Sequence, residues 1–446
     1  MNDFKNICMV GLGYIGLPTA VVFALRGVDV IGLDVNARAV ETINQGKTHI
    51  VEPGLDDALR RTVQAGRLRA TTTPEPADAF LIAVPTPFLS EGEGHDPDLS
   101  YVKSAALAIA PVLKKGDLVI LESTSPVGAT EQMAAWLSAA RPDLTFPQDA
   151  GEDSDIRVAH CPERILPGHA LTELVTNDRI IGGMTEACST RARKLYKLAV
   201  EGDCIETDCR TAEMAKLTEN SFRDVNIAFA NELSLICDRQ NINVWELIRL
   251  ANRHPRVNIL QPGPGVGGHC IAVDPWFIVS QSPEEARIIR AAREINDNKP
   301  EWVLAKVHQA VAEHAAKGGA PARIACFGLA FKPNIDDLRE SPALSIATRL
   351  VQTYPGQVDI VEPYIESLPA QLEGKTQLLR PSVAAETCDI IVLLVDHDDF
   401  KSMPAPRNST VIDTRGVWVG HDAVTPAAAP AKAEPVEAAV KELQPA

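Results

Sequence analysis

"NICMVGLGYIGLPTAVVFALRGVDVIGLDVN", residues 6–36, sets the architecture of the N-terminal half. The segment reads as an apolar run of strand length, a glycine turn, a helical pattern and a second apolar run that ends at Asp34. Because two parallel strands need a crossover connection, this order predicts a strand–helix–strand unit with the glycine turn at the start of the helix.

The glycine turn has the spacing of a dinucleotide site, Gly11-x-Gly13-x-x-Gly16. Glycines let backbone N–H groups and the helix N-terminus approach a pyrophosphate. Asp34 lies at the distance where an acid accepts hydrogen bonds from a ribose diol and repels a 2′-phosphate. We therefore expect NAD rather than NADP, although a glycine turn can also serve only the packing of a helix on a strand.

Two further strand-length runs, "AFLIAVPTP" (79–87) and "DLVILEST" (117–124), are each followed by a helical pattern. They extend the first unit into a doubly wound parallel sheet over the first ~200 residues. Thr86 and Thr124 follow these runs, at the edge of the sheet where ligands bind. Ser, Thr and Pro also form ordinary turns, so each position alone is ambiguous.

The second half of the chain repeats the α/β pattern after a long helical stretch. Residues 211–240 form an uninterrupted helical pattern, and strand-length runs resume at "ARIACFGLAFKP" (322–333). This order predicts an α/β fold with two Rossmann-like doubly wound domains joined by a long central helix. The predicted divisions are an NAD-binding domain (1–205), a central helical domain (206–300), a C-terminal α/β domain (301–420) and a disordered Ala/Pro/Glu-rich tail (421–446).

Composition limits the possible partners. The net charge is −16 with no Lys/Arg block, which argues against nucleic acid. No apolar run approaches the ~20 residues of a membrane span, and the first residues lack the pattern of a signal peptide. The nine cysteines include no CxxC pair, so we expect reduced thiols, a cytoplasmic location and no membrane partner.

Two groups of residues outside the first unit suggest chemistry. Lys216, Asn220 and Arg223 lie on one face of the long helix, where a solvated surface is the ordinary explanation. Cys270 lies in "GPGVGGHCIAVDPWF" (263–277), where glycines allow close backbone approach and the thiol supplies a nucleophile. Beside a nicotinamide, such a thiol can trap an aldehyde as a thiohemiacetal that is oxidised to a thioester and hydrolysed to an acid. A buried structural cysteine is the alternative.

Several long motifs carry a family resemblance. "VGLGYIGLP", "PER", "AEMAKLTENSF", "GPGVGGHC" with Asp274, and "FGLAFKPNIDDLRES" occur in the order seen in the UDP-sugar 6-dehydrogenases, which the chain resembles from residue 1 to about residue 420. "LQPGPGVGGHCIAVDPWFIV" and "CPERILPG" are most similar to the bacterial members that act on UDP-N-acetyl-D-mannosamine. The resemblance implies oxidation of C6 to a uronic acid for surface polysaccharide synthesis, two NAD+ per turnover and no metal. It also implies a homodimer that pairs through the central helices, and a UDP-sugar-binding C-terminal domain.

The resemblance also implies catalytic roles for particular residues. Cys270 is the expected nucleophile, and Lys216 acts with Asn220, through a bound water, on the alcohol and the oxyanion. Glu163 resembles the carboxylate that handles water in thioester hydrolysis. Asp274 resembles the acid that supports the lysine and water, and Thr124 resembles the threonine near C6 and the nicotinamide. Without the resemblance, Glu163 and Asp274 read as ordinary surface carboxylates.

Binding roles follow in the same way. The residues expected to contact NAD are Gly11, Gly13, Tyr14, Ile15, Gly16, Asp34, Arg38, Thr86 and Thr124, with Lys332 and Arg339 reaching the site from the C-terminal domain. The residues expected to hold the UDP-sugar are Arg164, Ile165, Lys216, Asn220, Arg223, His254, Arg256 and Gly267, of which His254 and Arg256 are expected to come from the other subunit.

Other functions remain open from the sequence. UDP-N-acetylglucosamine and UDP-glucose are alternative substrates, although Arg164 follows Glu163 where UDP-glucose dehydrogenases commonly have an aromatic residue. A two-electron dehydrogenase would use Lys216 and leave Cys270 structural. A non-enzymatic nucleotide-binding regulator would bind ligands without turnover and would leave the lysine, asparagine and cysteine unexplained.

Overall fold

The computed structural model describes residues 4–89, 95–165, 168–318 and 320–418, with the backbone but not the side chains of His269 and Cys270. The predicted tail, residues 421–446, lies outside the described residues. In the described ranges, no helix is both long enough and apolar enough to cross a membrane.

Strands and helices alternate through most of the chain. The strands are β1 (Asn6–Val10), β2 (Asp29–Leu33), β3 (Leu68–Thr71), β4 (Ala79–Ile82), β5 (Leu118–Leu121), β6 (Arg157–His160), β7 (Arg179–Gly183), β8 (Cys204–Asp208), β9 (Ile324–Phe327), β10 (Val358–Val361), β11 (Ile390–Leu393) and β12 (Thr410–Asp413). The helices are α1 (Gly16–Leu25), α2 (Ala37–Asn44), α3 (Leu55–Gln64), α4 (Ser100–Ile109), α5 (Ala129–Ala140), α6 (Pro147–Ala150), α7 (Ala170–Thr176), α8 (Glu186–Tyr196), α9 (Cys209–Gln240), α10 (Val244–Ala251), α11 (His269–Gln281), α12 (Arg287–Ala316), α13 (Pro342–Thr353), α14 (Pro381–Thr387) and α15 (Asp398–Lys401). Two short 3-10 helices span Ala110–Val112 and Gly151–Asp153.

The N-terminal strands form one sheet in the order β3-β2-β1-β4-β5-β6-β7-β8. All neighbouring strands are parallel except the antiparallel pair β6–β7. The first six strands have the order of a dinucleotide-binding sheet. Alternate residues of β1 enter opposite cores, Ile7 and Met9 on one face and Cys8 and Val10 on the other. A strand buried on both faces explains the continuous apolar run in the sequence.

The C-terminal strands form a second parallel sheet in the order β10-β9-β11-β12. It also has an apolar core on each face, with Cys326 in one and Phe327 in the other. The two sheets and the long helix between them confirm the predicted fold class.

The centre of the molecule contains two long helices. The predicted one is α9, with 32 residues, and it packs against both α11 and α12. The sequence analysis did not identify α12, which has 30 residues and contains Pro300. Proline in a helix interior removes a backbone hydrogen bond, so the sequence pattern does not read as one continuous helix.

Buried polar side chains join α9 to α12. Asp224 Oδ1 accepts hydrogen bonds from Arg293 Nη1 at 2.7 Å and from Asn296 Nδ2 at 2.8 Å. Asn231 Nδ2 donates to Asn296 Oδ1 at 2.8 Å. All four side chains are buried. We call Asp224, Asn231, Arg293 and Asn296 the α9–α12 network. Polar groups are tolerated in such an interior when they are bonded to one another.

Candidate active site

The glycine turn has the backbone that the sequence predicts. Gly11 has φ of 89°, and a Cβ atom there would lie 2.4 Å from the Ala83 oxygen. A Cβ atom at Gly16 would lie 1.9 Å from the Gly11 oxygen, whereas one at Gly13 would meet nothing within 4 Å. The first and third glycines are therefore required by packing, and the middle one leaves the turn open on the side where a phosphate binds.

Asp34 lies directly beside this turn. Its Oδ2 accepts a hydrogen bond from the Leu12 N–H, and its Oδ1 accepts one from the Asn36 N–H, each at 2.8 Å. The half-buried carboxylate still has lone pairs for a ribose diol. Together with the open glycine turn at the start of α1, this arrangement fits NAD.

The ends of β4 and β5 are tied together at the same edge of the sheet. The buried Thr86 hydroxyl donates to the backbone oxygen of Thr124 at 2.7 Å. Thr124 is half-buried and lies beyond the end of β5. Ile15 precedes the first residue of α1, whereas Arg38 is exposed on α2. Thus Thr86 and Thr124 lie together, and Arg38 has an exposed side chain beside the Asp34 turn.

The C-terminal half reaches the glycine turn through one loop. The Arg339 guanidinium carbon lies 4.5 Å from the centre of the Tyr14 ring, a cation–π distance. Arg339 Nη2 also donates to Asp337 Oδ2 at 2.6 Å. Tyr14 and Arg339 line a cleft with Val51, and the half-buried Lys332 belongs to the same loop between β9 and α13.

Three predicted catalytic residues meet between α9 and α11. Asn220 Nδ2 donates a hydrogen bond to Asp274 Oδ2. Asp274 is 3% exposed, and burial raises its pKa from 3.8 to about 7, against the opposing effects of the Asn220 hydrogen bond and the charge of Lys216. Lys216 is half-buried one turn before Asn220. Arg223, the third residue of the predicted row, is exposed.

The backbone of Cys270 lies in the first turn of α11, one turn before Asp274. Its side chain lies outside the described part of the structure. The preceding glycines lie against the C-terminal half: a Cβ atom at Gly267 would lie 2.7 Å from the Glu340 oxygen, and one at Gly268 would lie 3.0 Å from the Phe331 ring. Gly268 also has φ of 84°. Gly267 is therefore required by the close approach of a second backbone, and Gly268 by its positive φ and the adjacent Phe331 ring.

Glu163 lies after β6 in a buried ion pair. Its Oε2 accepts a hydrogen bond from Arg179 Nη1 at 3.1 Å, and its Oε1 accepts one from the Arg164 N–H at 2.6 Å. The Arg179 guanidinium lies over the Tyr196 ring, whose hydroxyl donates to Glu122 Oε1 at 2.6 Å. Burial raises the pKa of Glu122 to about 7. Glu163 is thus held by buried partners.

The segment after Glu163 is tied to α9. Arg164 Nη2 pairs with Glu219 Oε1 at 2.8 Å, and Glu219 immediately precedes Asn220. Ile165 is half-buried and packs against the N-terminal core. The ion pair brings the Glu163 segment to the part of α9 that carries Lys216.

Two residues of the predicted sugar site are apart from this cluster. His254 and Arg256 are exposed after α10, and the Arg256 N–H donates to His254 Nδ1 at 3.3 Å. In the described ranges, no hydrogen bond or ion pair joins either side chain to the cluster of Lys216, Asn220 and Asp274.

Sequence reasoning missed Glu213 and Arg179. The buried Glu213 accepts hydrogen bonds from the Gly128 N–H at 2.6 Å and from the Thr130 N–H at 2.8 Å. It thereby accepts hydrogen bonds from free backbone N–H groups at the start of α5. It also joins the segment that follows Thr124 to α9, one turn before Lys216. The signal in the sequence was weak: an acid inside a helical pattern for Glu213, and an arginine before the apolar run "IIGG" for Arg179.

Polar groups of α9, of α11 and of the segments after β4, β5 and β6 are thus connected by pairwise hydrogen bonds and an ion pair. They supply an amine, an amide and two carboxylates, which suit proton transfer and the binding of water. Among the described residues, no group of three or more His, Cys, Asp or Glu side chains is arranged to hold a metal ion.

Residues 5–200 match the UDP-glucose/GDP-mannose dehydrogenase family, NAD binding domain. Residues 210–298 match the central domain of the same family, and residues 325–420 match its UDP binding domain.

Individual relatives cover nearly the same length. The UDP-N-acetyl-D-mannosamine dehydrogenase of Salmonella typhi is 63% identical over 93% of this chain and 100% of its own. The NDP-N-acetyl-D-galactosaminuronic acid dehydrogenase of Ralstonia nicotianae is 66% identical over 93% of this chain and 97% of its own. The solved structure of a UDP-D-ManNAc dehydrogenase from Pyrococcus horikoshii has a TM-score of 0.82 and 39% identity, covering 93% of this chain and 97% of that one.

The position of Asp34 predicts its effect on cofactor binding. We expect Asp34→Ala to weaken NAD+ binding by ~1–3 kcal/mol, because the ribose loses a hydrogen-bond acceptor. Isothermal titration calorimetry measures this directly. Glu41→Ala, which removes an exposed acid of α2, should leave the Kd unchanged. An unchanged Kd in Asp34→Ala contradicts the assignment.

The pKa of Asp274 predicts a pH-dependent stability. Because its folded-state pKa of about 7 lies above the ordinary 3.8, the carboxyl contributes stability that is fully present below pH 3.8 and is lost as the pH rises through 7. Asp274→Asn removes this titrating group. The free energy of unfolding of the variant, relative to that of the wild type, should therefore rise by roughly 2–3 kcal/mol between pH 5 and pH 8. Urea unfolding at both pH values tests this. A difference between wild type and variant that does not change with pH contradicts the burial argument.

Proposed function

The chain belongs to the UDP-glucose/GDP-mannose dehydrogenase family, and we propose that it oxidises C6 of UDP-N-acetyl-D-mannosamine to UDP-N-acetyl-D-mannosaminuronate. The observation that supports this most is the hydrogen bond between Asn220 and Asp274, with Lys216 beside it and Cys270 one helical turn away. The chain is an NAD-dependent dehydrogenase, and NAD+ supplies the hydride acceptor for both oxidations.

In the first oxidation, Lys216 and Asn220 act on the alcohol. The C6 hydroxyl loses its proton to a water or an amine held at this face of α9 while the C6 hydrogen leaves as hydride, and an aldehyde results. Asp274 orients the Asn220 amide, because its carboxyl group accepts the hydrogen bond from Nδ2 and leaves Oδ1 available as an acceptor. The lysine charge stabilises the developing oxyanion.

In the second oxidation, Cys270 carries the sugar. The sulfur adds to the aldehyde carbon, so that a C–S bond forms, the carbonyl π bond breaks and the oxygen takes a proton. Loss of that proton and of a hydride from C6 then gives a thioester. The first turn of α11 suits this step, since free N–H groups at a helix N-terminus stabilise negative charge.

Glu163 acts in the final hydrolysis. Water adds to the thioester carbon and the C–S bond breaks, releasing the carboxylic acid and returning the thiol. Glu163 accepts one proton from the water and passes it to the leaving sulfur, and the Arg179 ion pair holds the carboxylate in one orientation.

The proposed binding sites follow the division of the chain. Residues 1–205 bind NAD through the glycine turn, Asp34, Arg38, Thr86 and Thr124, and residues 301–420 close over it with Lys332 and Arg339. The UDP-sugar lies between the halves, against Arg164, Ile165, Lys216, Asn220, Arg223 and Gly267. Because all eight cysteines that the structure describes with side chains are free thiols, a reducing cytoplasm is the proposed location.

We propose a homodimer that pairs through α9. Phe222, Phe229 and Ile236 are spaced by seven residues and are 71%, 53% and 43% exposed. This spacing puts them on one side of the helix, and such an exposed apolar row is typical of a surface covered by a second subunit. Pairing would bring His254 and Arg256 of each copy to the sugar site of the other.

A second candidate substrate is the galacto epimer. It is favoured by the 66% identity to the Ralstonia nicotianae relative. Measuring kcat/KM for UDP-N-acetylmannosamine, UDP-N-acetylgalactosamine, UDP-N-acetylglucosamine and UDP-glucose decides between them, and we expect the manno epimer to be the best substrate.

Replacing the nucleophile tests the proposed chemistry. Wild-type enzyme should release two NADH per sugar, and Cys270→Ser should reduce turnover by at least ~100-fold because a hydroxyl is hardly ionised near neutral pH and attacks the aldehyde poorly. NAD+ and the UDP-sugar should still bind. Cys204→Ser, at a half-buried thiol, is the matched control and should retain full activity. A Cys270→Ser enzyme that makes two NADH per sugar at the wild-type rate overturns covalent catalysis.

A charge in the apolar row tests the dimer. Phe229→Glu should shift the mass measured by light scattering from twice 48.1 kDa to 48.1 kDa, because a carboxylate is not tolerated unpaired in an apolar interface. Ile205→Glu introduces the same change at an exposed apolar residue outside α9, and it should leave the dimer intact. Wild-type protein that is monomeric in solution contradicts the pairing.

A further inference from the structure

We propose that the α9–α12 network holds both ends of the cysteine loop, residues 263–271, and so places Cys270 for the second oxidation. Asn231 and Arg293 are then positioning residues for the reaction, acting through the loop backbone. The inference rests on the proposed function for its kinetic consequence, whereas the contacts themselves belong to the described structure.

The first end of the loop is bound by Asn231. The Gly263 N–H donates to Asn231 Oδ1 at 2.9 Å, in a buried hydrogen bond. Because Asn231 Nδ2 already donates to Asn296 Oδ1, the amide has only one orientation that satisfies both partners. A residue of α12 therefore fixes which atom of Asn231 faces the loop.

The second end of the loop is bound by Arg293. Pro275 has no N–H, so the Ile271 oxygen lacks the partner that a regular helix would supply four residues later. Arg293 Nη1 donates to that oxygen at 3.5 Å. The same guanidinium pairs with Asp224 and with Asp297, which keeps it in place. Ile271 directly follows Cys270.

The interior of the loop cannot fix its own position. Gly263, Gly265, Gly267 and Gly268 give this stretch a large conformational freedom. A Cβ atom at Gly265 would lie 2.9 Å from Pro342 Cβ, which leaves no room for a side chain there. The glycines consequently supply no side chains that could anchor the loop. Bonds at its two ends therefore act together with the packing of Gly267 and Gly268 against the C-terminal half to keep the thiol-bearing backbone at one place.

The network should act on one of the two oxidations. Lys216 and Asn220 belong to α9 itself, and Asn220 contacts α11 through Asp274, which lies beyond the second end of the loop. Asn231 lies three turns after Asn220 on the same helix. Loosening the loop should leave the alcohol oxidation intact. It should slow the addition of the sulfur to the aldehyde, because small displacements of a reacting group cost about 100-fold in rate.

The experiment compares variants of the full-length enzyme. Asn231→Ala removes the bond to Gly263, and Arg293→Lys keeps a charge near Asp224 but shortens the reach to Ile271. Ser234→Ala is the matched control, since it removes a hydrogen bond from Lys299 between the same two helices without a hydrogen bond to the loop. NADH formation is followed in single turnovers with NAD+ and either UDP-N-acetylmannosamine or its 6-aldehyde.

We expect Asn231→Ala and Arg293→Lys to slow NADH formation from the 6-aldehyde by about 20- to 100-fold. The rate at which the first NADH forms from the alcohol should stay within about threefold of the wild-type rate. Ser234→Ala should change neither step by more than that. An equal loss in both oxidations, or no loss from the aldehyde, overturns the inference. If Asn231→Ala does not fold, Arg293→Lys decides.

Hydrogen exchange separates this inference from the proposed function. Amide exchange in the peptide that contains Gly263 should accelerate in Asn231→Ala and not in Ser234→Ala, whatever the substrate. Unchanged exchange contradicts the role of Asn231. If the wild type forms only one NADH per sugar, the four-electron reaction is wrong. The hydrogen-exchange comparison then still tests the contacts of the loop independently.

Discussion

The buried hydrogen bonds between α9 and α12 are the interaction on which the active site depends. Asp224 and Arg293 are charged groups in an apolar interior, a placement that is stable only with good geometry and with further hydrogen bonds such as that from Asn296. Breaking such a pair leaves an unpaired buried charge, so the register between the two helices is strongly specified. The two ends of the cysteine loop, Gly263 and Ile271, are bonded to this helix pair and take their position from that register.

A second constraint comes from the loop between β9 and α13. Its Arg339 lies against Tyr14 of the glycine turn, and its Phe331 lies against Gly268 just before α11. One segment of the C-terminal half thus contacts both the cofactor turn and the backbone that leads to Cys270.

The sequence predicted the parts of the fold that are encoded locally. The glycine turn and α9 follow from spacing and periodicity within short segments, and the family motifs predict Asn220 and Asp274, which are joined by a hydrogen bond. By contrast, Pro300 concealed α12. Glu213 was missed because its partner Thr130 lies 83 residues away in the chain. A buried acid is recognisable only from partners that folding brings to it, and no local pattern contains them.

The central claim is that the sugar is carried on Cys270 between the second oxidation and hydrolysis. Mass spectrometry of the peptide that contains Cys270 tests this most directly, in a Glu163→Gln enzyme quenched in acid after mixing with NAD+ and UDP-N-acetylmannosamine. Because the amide cannot accept the water proton, the account predicts an acyl adduct on Cys270 with the mass of the UDP-sugar thioester. Formation of the uronic acid with no adduct on Cys270 at any time would contradict it.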